Sequence, residues 1–302
     1  VGGLSALFKE LIQQRTIGRG NMSYYRLLGL EKEPFSTSPD PEFFYESQEH
    51  RAALMRLLVE IRLKRGLSLI LGDVGVGKTT LSRRLLQMLK EREDIIFHLI
   101  LDPTYDNEHI FLESLVRTFK IETAKPSPTT LDYKEILKDY LFMKGVQENK
   151  TVVLVVDECQ KLNQASLEVL RVLLNYETNE YKLLQLVLLS QLEVLPKLNQ
   201  MPNLWDRISL KYMLNPLDER ETKEMINYRL KVAGFDSRGS LFTNDAIAEI
   251  HRYTKGYPRR ISMLCHNALK ALIMSNRVSV DARVIWDIIN NDVKLTAATA
   301  NI

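Results

Sequence analysis

The sequence predicts an α/β domain, a parallel five-stranded sheet flanked by helices, followed by a small all-α lid domain. Three observations predict it. Five short, nearly continuous apolar runs alternate with helix-length segments, the pattern of parallel strands covered on both faces. The strand signal stops at Asn215-Pro216, and only helical periodicity follows. A glycine-rich loop joins the first run to the next helix, at the sheet edge where open α/β folds hold ligands.

In chain order, Leu4, Leu7, Phe8, Leu11 and Ile12 keep helical spacing and predict an amphipathic segment over 1–21. Residues 22–47 mix Pro34, Pro39 and Pro41 with Tyr24, Tyr25, Phe35, Phe43, Phe44 and Tyr45, which reads as a packed linker. Residues 48–65 read as a helix. Strands follow at 67–71, 95–101, 151–156, 183–189 and 208–214, with helices at 79–91, 108–119, 131–148 and 164–177. Four amphipathic helices then occupy 218–233, 243–254, 258–275 and 281–291.

Composition narrows the function classes. The 302 residues are 45% hydrophobic and 26% charged, which excludes a wholly disordered chain. The net charge is +3, from 41 basic against 38 acidic residues, so any polyanion-binding surface must be local. Cys159 and Cys265 lack metal-ligand spacing, which argues against structural zinc and for a reducing compartment. The longest apolar runs, 152–156 and 186–189, fall well short of the roughly 18 to 20 residues that span a bilayer. The first twenty residues lack the pattern of a secretory signal. The expectation is a cytoplasmic protein with no membrane span.

The sharpest motif is Gly72-Asp73-Val74-Gly75-Val76-Gly77-Lys78-Thr79-Thr80, a G-x-x-x-x-G-K-[ST] loop between a strand and a helix. Its glycines let successive N–H groups turn toward phosphate oxygens, Lys78 adds a positive charge, and Thr79 offers a hydroxyl to Mg²⁺. The strand 151–156 ends in Asp157-Glu158. Asp157 supplies the hard oxygen that Mg²⁺ requires, and Glu158 stands where a base can polarise a water attacking the terminal phosphate. The strand 95–101 lies between the two motifs, a connectivity of the additional-strand class of nucleoside triphosphatases. The strand 183–189 ends in Ser190-Gln191, either of which could sense the terminal phosphate.

Two arginines have open roles by their residues alone. Arg207 precedes the last strand and is either a solvated charge or a group offered to a neighbouring subunit's nucleotide. Arg259 opens the helix after Gly256-Tyr257-Pro258 and could reach back to nucleotide. Residues 251–283 also carry Arg252, Lys255, Arg260, Lys270, Arg277 and Arg283 against one acid, Asp281. The acidic stretch 102–108 opposes phosphate-backbone contacts.

Taken in order, these motifs resemble the AAA+ ATPases of the ExeA or general secretion pathway protein A type, over roughly 24–293. The resemblance is carried by Tyr25-Arg26-Leu27-Leu28-Gly29-Leu30, Pro34-Phe35, the loop from Gly72 to Thr80, Tyr228-Arg229-Leu230 with Ala233-Gly234, and Gly256-Tyr257-Pro258-Arg259. Ser190 departs from the pattern, which has a glycine there. The resemblance implies ATP and Mg²⁺ as cofactors, with Lys78 and Thr79 binding them, Asp157 on the metal and Glu158 as the acidic partner. It implies Gln191 as sensor, Arg207 as the finger presented to a neighbour, and Arg259 as the sensor of the lid. The expected division is an extension (1–21), a linker packing on the nucleotide site (22–47), the ATPase domain (48–215), the lid (216–293) and a tail (294–302).

The resemblance implies an ATPase that assembles with itself as a ring or helix and remodels a protein partner of a secretion or pilus-type envelope machine, recruited to the inner face of the membrane. The alternative is an ATP-dependent regulator of transposition on duplex DNA. The basic helical region favours the alternative, and the acidic loop opposes it.

Overall fold

The computed structural model describes residues 23–299 apart from 39, 124, 236–238 and 276, and side chains up to residue 292. The predicted amphipathic segment therefore lies outside the described residues. The chain forms two compact units, residues 46–215 and a second made of the flanking N- and C-terminal parts.

In the first unit, α1 (Gln48–Arg62) begins at an N-cap serine, Ser47. It leads to β1 (Leu67–Gly72), α2 (Lys78–Leu89), β2 (Ile95–Ile100), α3 (Glu108–Thr118), α4 (Thr130–Phe142) and β3 (Thr151–Val156). Then come α5 (Gln164–Leu173), β4 (Leu184–Ser190), two short helices, α6 (Leu195–Asn199) and α7 (Pro202–Trp205), and β5 (Ile208–Leu214). All pairings are parallel, in the order β2-β3-β4-β1-β5. β1 and β4 are buried along their whole length and β3 from its second residue, as expected for central strands with helices on both faces. The edge strand β5 alternates, with Ser209, Lys211 and Met213 exposed.

The five strands fall where the sequence places them, to within a residue at their ends. Helical periodicity overshoots most at two places. The segment 131–148 stops being α-helical at Phe142 and closes with a wider turn, Met143–Gln147. The segment 164–177 ends at Leu173, because the chain reverses there and Glu177 pairs with Lys182.

The second unit contains α8 (Glu219–Val232), α9 (Asn244–Thr254), α10 (Pro258–Met274) and α11 (Ala282–Thr299). The segment 23–45, read from sequence as a linker on the nucleotide site, packs into this unit's core. Leu30, Phe35 and Phe43 are buried with Ile226, Leu230, Phe242, Ile261 and Leu269. Arg229 ties it down: its guanidinium donates to the carbonyls of Phe43 (3.1 Å), Ser36 (3.3 Å) and Pro34 (3.4 Å) and to the Ser262 hydroxyl (2.8 Å). An irregular segment has free backbone carbonyls, and a buried arginine with five donors can satisfy several at once. Burial lowers the Arg229 pKa to about 10, which leaves it charged at neutral pH.

Gly256 makes a testable demand on this unit. Its φ is +76°, and a Cβ there would lie 1.8 Å from the Leu217 carbonyl oxygen. The Leu217 N–H in turn donates to the Gly256 carbonyl at 2.9 Å, so the two backbones cannot separate cheaply. Gly256→Ala is expected to destabilise the helical unit by at least ~3 kcal/mol. An unchanged melting transition would disprove the contact.

Candidate nucleotide site

The site is assembled at the carboxyl edge of the sheet. Gly72 ends β1, and the loop passes through two left-handed glycines, Gly75 (φ 85°) and Gly77 (φ 104°), before α2 begins at Lys78. Only glycine takes these angles without strain, which is why the motif places it there. Gly72 is also sterically required, since a Cβ would meet Val76 Cγ2 at 2.8 Å and the Leu214 carbonyl at 3.0 Å. Asp73 and Val74 form the exposed tip, Val76 is buried beneath the loop, and Thr80 lies half-buried in the first turn of α2.

Lys78 is only 5% exposed, and its ammonium donates to the carbonyls of Gly72 (2.7 Å) and Asp73 (3.0 Å). Burial lowers its pKa from the usual lysine range, while Glu158, Asp157 and Asp73 pull it back up. The Thr79 hydroxyl donates to Asp157 Oδ2 at 2.5 Å, joining the loop to the end of β3. Burial raises the Asp157 carboxyl, and the bonds from Thr79 and from the Glu158 N–H oppose that rise.

Glu158 takes a left-handed backbone (φ 53°) where β3 turns into the short turn Cys159–Lys161. Its Oε2 accepts from Gln160 Nε2 at 2.6 Å and from Gln191 Nε2 at 3.1 Å. Gln160 Oε1 in turn accepts from the Ser190 hydroxyl and the Gln191 N–H, both at 3.1 Å. Lys197 anchors the turn by donating to the carbonyls of Gln160 (2.6 Å) and Leu162 (2.9 Å). Strand order explains the convergence. β4 lies between β1 and β3, so Ser190 and Gln191 emerge between the loop and the acidic pair.

The structure thus brings Lys78, Thr79, Asp157, Glu158, Ser190 and Gln191 together. Gln160 was missed by sequence reading, because one amide two residues past a glutamate carries no pattern until β4 is placed beside it. Cys159 is fully buried, its thiol pushed up to about 12, so it is packing and not a nucleophile.

Arg207 lies apart from these residues within the same unit. Arg207 precedes β5, whose first residue pairs with Leu67 at the start of β1, so it sits at the sheet edge opposite the loop. The length of β1 puts about 20 Å between those edges. Its guanidinium donates to the Arg171 carbonyl (3.1 Å) and to Asn175 Oδ1 (2.5 Å). Arg259 is exposed in the first turn of α10 in the helical unit, and the adjacent Arg260 lies over the Tyr257 ring at 4.9 Å.

The residues fit a magnesium ion. Thr79 and Asp157 present two hard oxygens side by side at the foot of the loop. Mg²⁺ favours this arrangement, keeping waters and phosphate oxygens as its other ligands.

A parallel sheet in this order, with a phosphate loop after β1 and an acidic pair after β3, defines the additional-strand class of P-loop nucleoside triphosphatases. Residues 61–198 match the family model of the AAA domain. The chain is 35% identical over 276 residues to general secretion pathway protein A of Aeromonas hydrophila, covering 91% of this chain and 48% of that protein. It therefore spans about half the length of that relative. Among solved structures it is similar to the Aeropyrum pernix ORC2 protein in its ADPNP and ADP complexes, with a TM-score of 0.63 at 19% identity, covering 86% of this chain and 71% of that one. The Thermotoga maritima RuvB Holliday junction branch migration motor matches with a TM-score of 0.54 at 14% identity, covering 82% and 72%. At these identities the solved structures share the fold alone. The chain is therefore an AAA+ ATPase, similar in sequence to general secretion pathway protein A.

Proposed function

We propose that this chain binds ATP with Mg²⁺, hydrolyses it, and couples nucleotide-dependent self-assembly to remodelling of a protein partner in a secretion or pilus-type envelope machine. The observation that carries hydrolysis is the Glu158 carboxylate, adjacent to the metal-side Asp157 and held by the amides of Gln160 and Gln191. Loop N–H groups and Lys78 bind the phosphates, and Thr79 and Asp157 would hold the ion, which when bound would supply charge neutralisation at the phosphates. Glu158 takes the proton of the attacking water, and Gln191 aligns it and senses the terminal phosphate.

The partner class rests on the similarity to general secretion pathway protein A. The proposed partner brings the chain to the inner membrane face; among the described residues no helix is long and apolar enough to cross a membrane. Arg259 is assigned as the arginine that the helical unit offers to bound nucleotide. Glu158→Gln protein loaded with ATP is the test of the role. It is expected to oligomerise without retaining duplex DNA, whereas ATP-dependent DNA binding that falls steeply with salt would support the transposition regulator instead.

Arg207, at the far sheet edge from its own loop, is assigned as the group given to a neighbour's nucleotide. Arg207→Ala should bind ATP normally but lose about 10³-fold in turnover, the scale of an arginine finger. Adding the Lys78→Ala protein, which keeps its arginine, should restore part of that turnover. Wild-type turnover by Arg207→Ala alone would retire the assignment.

A further inference from the structure

A buried histidine in the first turn of α1 reaches the phosphate loop. His50 is 1% exposed, with Nε2 2.9 Å from the Val76 carbonyl oxygen and Nδ1 2.7 Å from the Ser47 hydroxyl. A carbonyl can only accept, so Nε2 carries the hydrogen, and Nδ1 is left to accept from Ser47. Burial lowers the imidazole below the ordinary histidine range, which keeps the ring neutral at physiological pH. The same Ser47 oxygen caps α1 by accepting from the His50 N–H at 3.3 Å. The ring's one proton therefore goes to the loop.

The turn that carries His50 is braced on several sides. Glu46 pairs with Arg84 of α2 at 2.6 Å, and Glu49 accepts from the Tyr212 hydroxyl of β5 at 2.8 Å. Behind it Ala53, Leu54, Leu57 and Ile61 are buried. A ring on so fixed a turn can hold a neighbouring peptide in place.

That neighbour is the Val76–Gly77 peptide. A trans peptide is planar, with its C=O and N–H pointing in opposite directions, and the described chain has no cis bond. Fixing the Val76 carbonyl on His50 therefore turns the Gly77 N–H the other way. Among the described residues nothing accepts from that N–H. Glycine has no Cβ to resist a peptide flip, and a flip would present a carbonyl where phosphate oxygens must come.

We propose that His50 is a positioning residue for the phosphate loop, holding the Val76–Gly77 peptide with its N–H toward the bound triphosphate. The inference rests on the ATP-binding reading of the loop. The test uses the full chain with His50→Gln, His50→Asn and His50→Leu. A glutamine amide nitrogen falls near the place of Nε2 and can still hold the Val76 carbonyl. An asparagine nitrogen falls near Nδ1 and cannot.

Affinities for ATP and for inorganic tripolyphosphate are measured by calorimetry, and melting temperatures are taken without ligand. His50→Gln should bind both ligands close to wild type. His50→Asn and His50→Leu should bind both about tenfold more weakly, the effect of one buried hydrogen bond expressed as affinity. If the leucine variant does not fold, the comparison of glutamine with asparagine carries the test, since both are polar and only one restores the contact. Equal affinities of these two variants would overturn the proposal. Lys78→Ala separates it from the reading beneath it. Wild-type binding that Lys78→Ala removes, with all folded His50 variants unaffected, retires His50 alone, and no binding by the wild type retires both.

Discussion

Lys78→Ala is expected to bind ATP at least about 10²-fold more weakly than the wild type and to show no measurable turnover. The physical reason is the position of the ammonium. It is nearly buried, bridges the Gly72 and Asp73 carbonyls, and is kept charged against burial by Glu158 and Asp157. A phosphate arriving in the loop meets a cation already stripped of most of its water, so its interaction is stronger than with a solvated lysine. A hydrogen bond to a charged group contributes about 1.5–3 kcal/mol, and two or more lost together exceed the hundredfold threshold. Titration with a fluorescent ATP analogue measures the loss. Affinity within threefold of wild type would mean that the loop does not bind phosphate through Lys78.

Glu158→Gln should leave ATP affinity within a few-fold of wild type and lower turnover by 10²–10⁴, the scale of general-base removal. Glutamine has the same shape, and its carbonyl oxygen can still accept from Gln160 and Gln191, as Oε2 does now. What it loses is the lone pair able to take the proton of the attacking water. The variant therefore separates binding from chemistry, which Lys78→Ala cannot do. Phosphate release assayed beside nucleotide binding checks it, and turnover within tenfold of wild type would remove Glu158 from the chemistry.

Much of this site was legible in the sequence. The loop from Gly72 to Thr80 is contiguous, and its glycines are required by local backbone angles, so eight or nine residues suffice to recognise it. Asp157-Glu158 was legible for the same reason, as two acids closing an unbroken apolar run. The helical core was legible through periodicity. The segment 23–45 was less so. Its aromatic content predicts packing, but the surface it packs on depends on where Arg229 finds carbonyls to satisfy.

By itself, then, the sequence determined the alternation of strands and helices, the parallel sheet, the phosphate loop and the acidic pair. Each of these is encoded in neighbouring residues, through backbone angles, side-chain period and local charge. Tertiary structure alone decided that β4 would lie between β1 and β3, bringing Gln191 to Glu158 across 33 positions and leaving Gln160 to complete the pair. It alone set the His50 ring on the Val76 carbonyl, and Arg207 at the edge away from its own loop. Contacts of this kind depend on strand order and on which distant polar groups must be satisfied when water is removed. Neither quantity has a period along the chain, and so neither can be read from it.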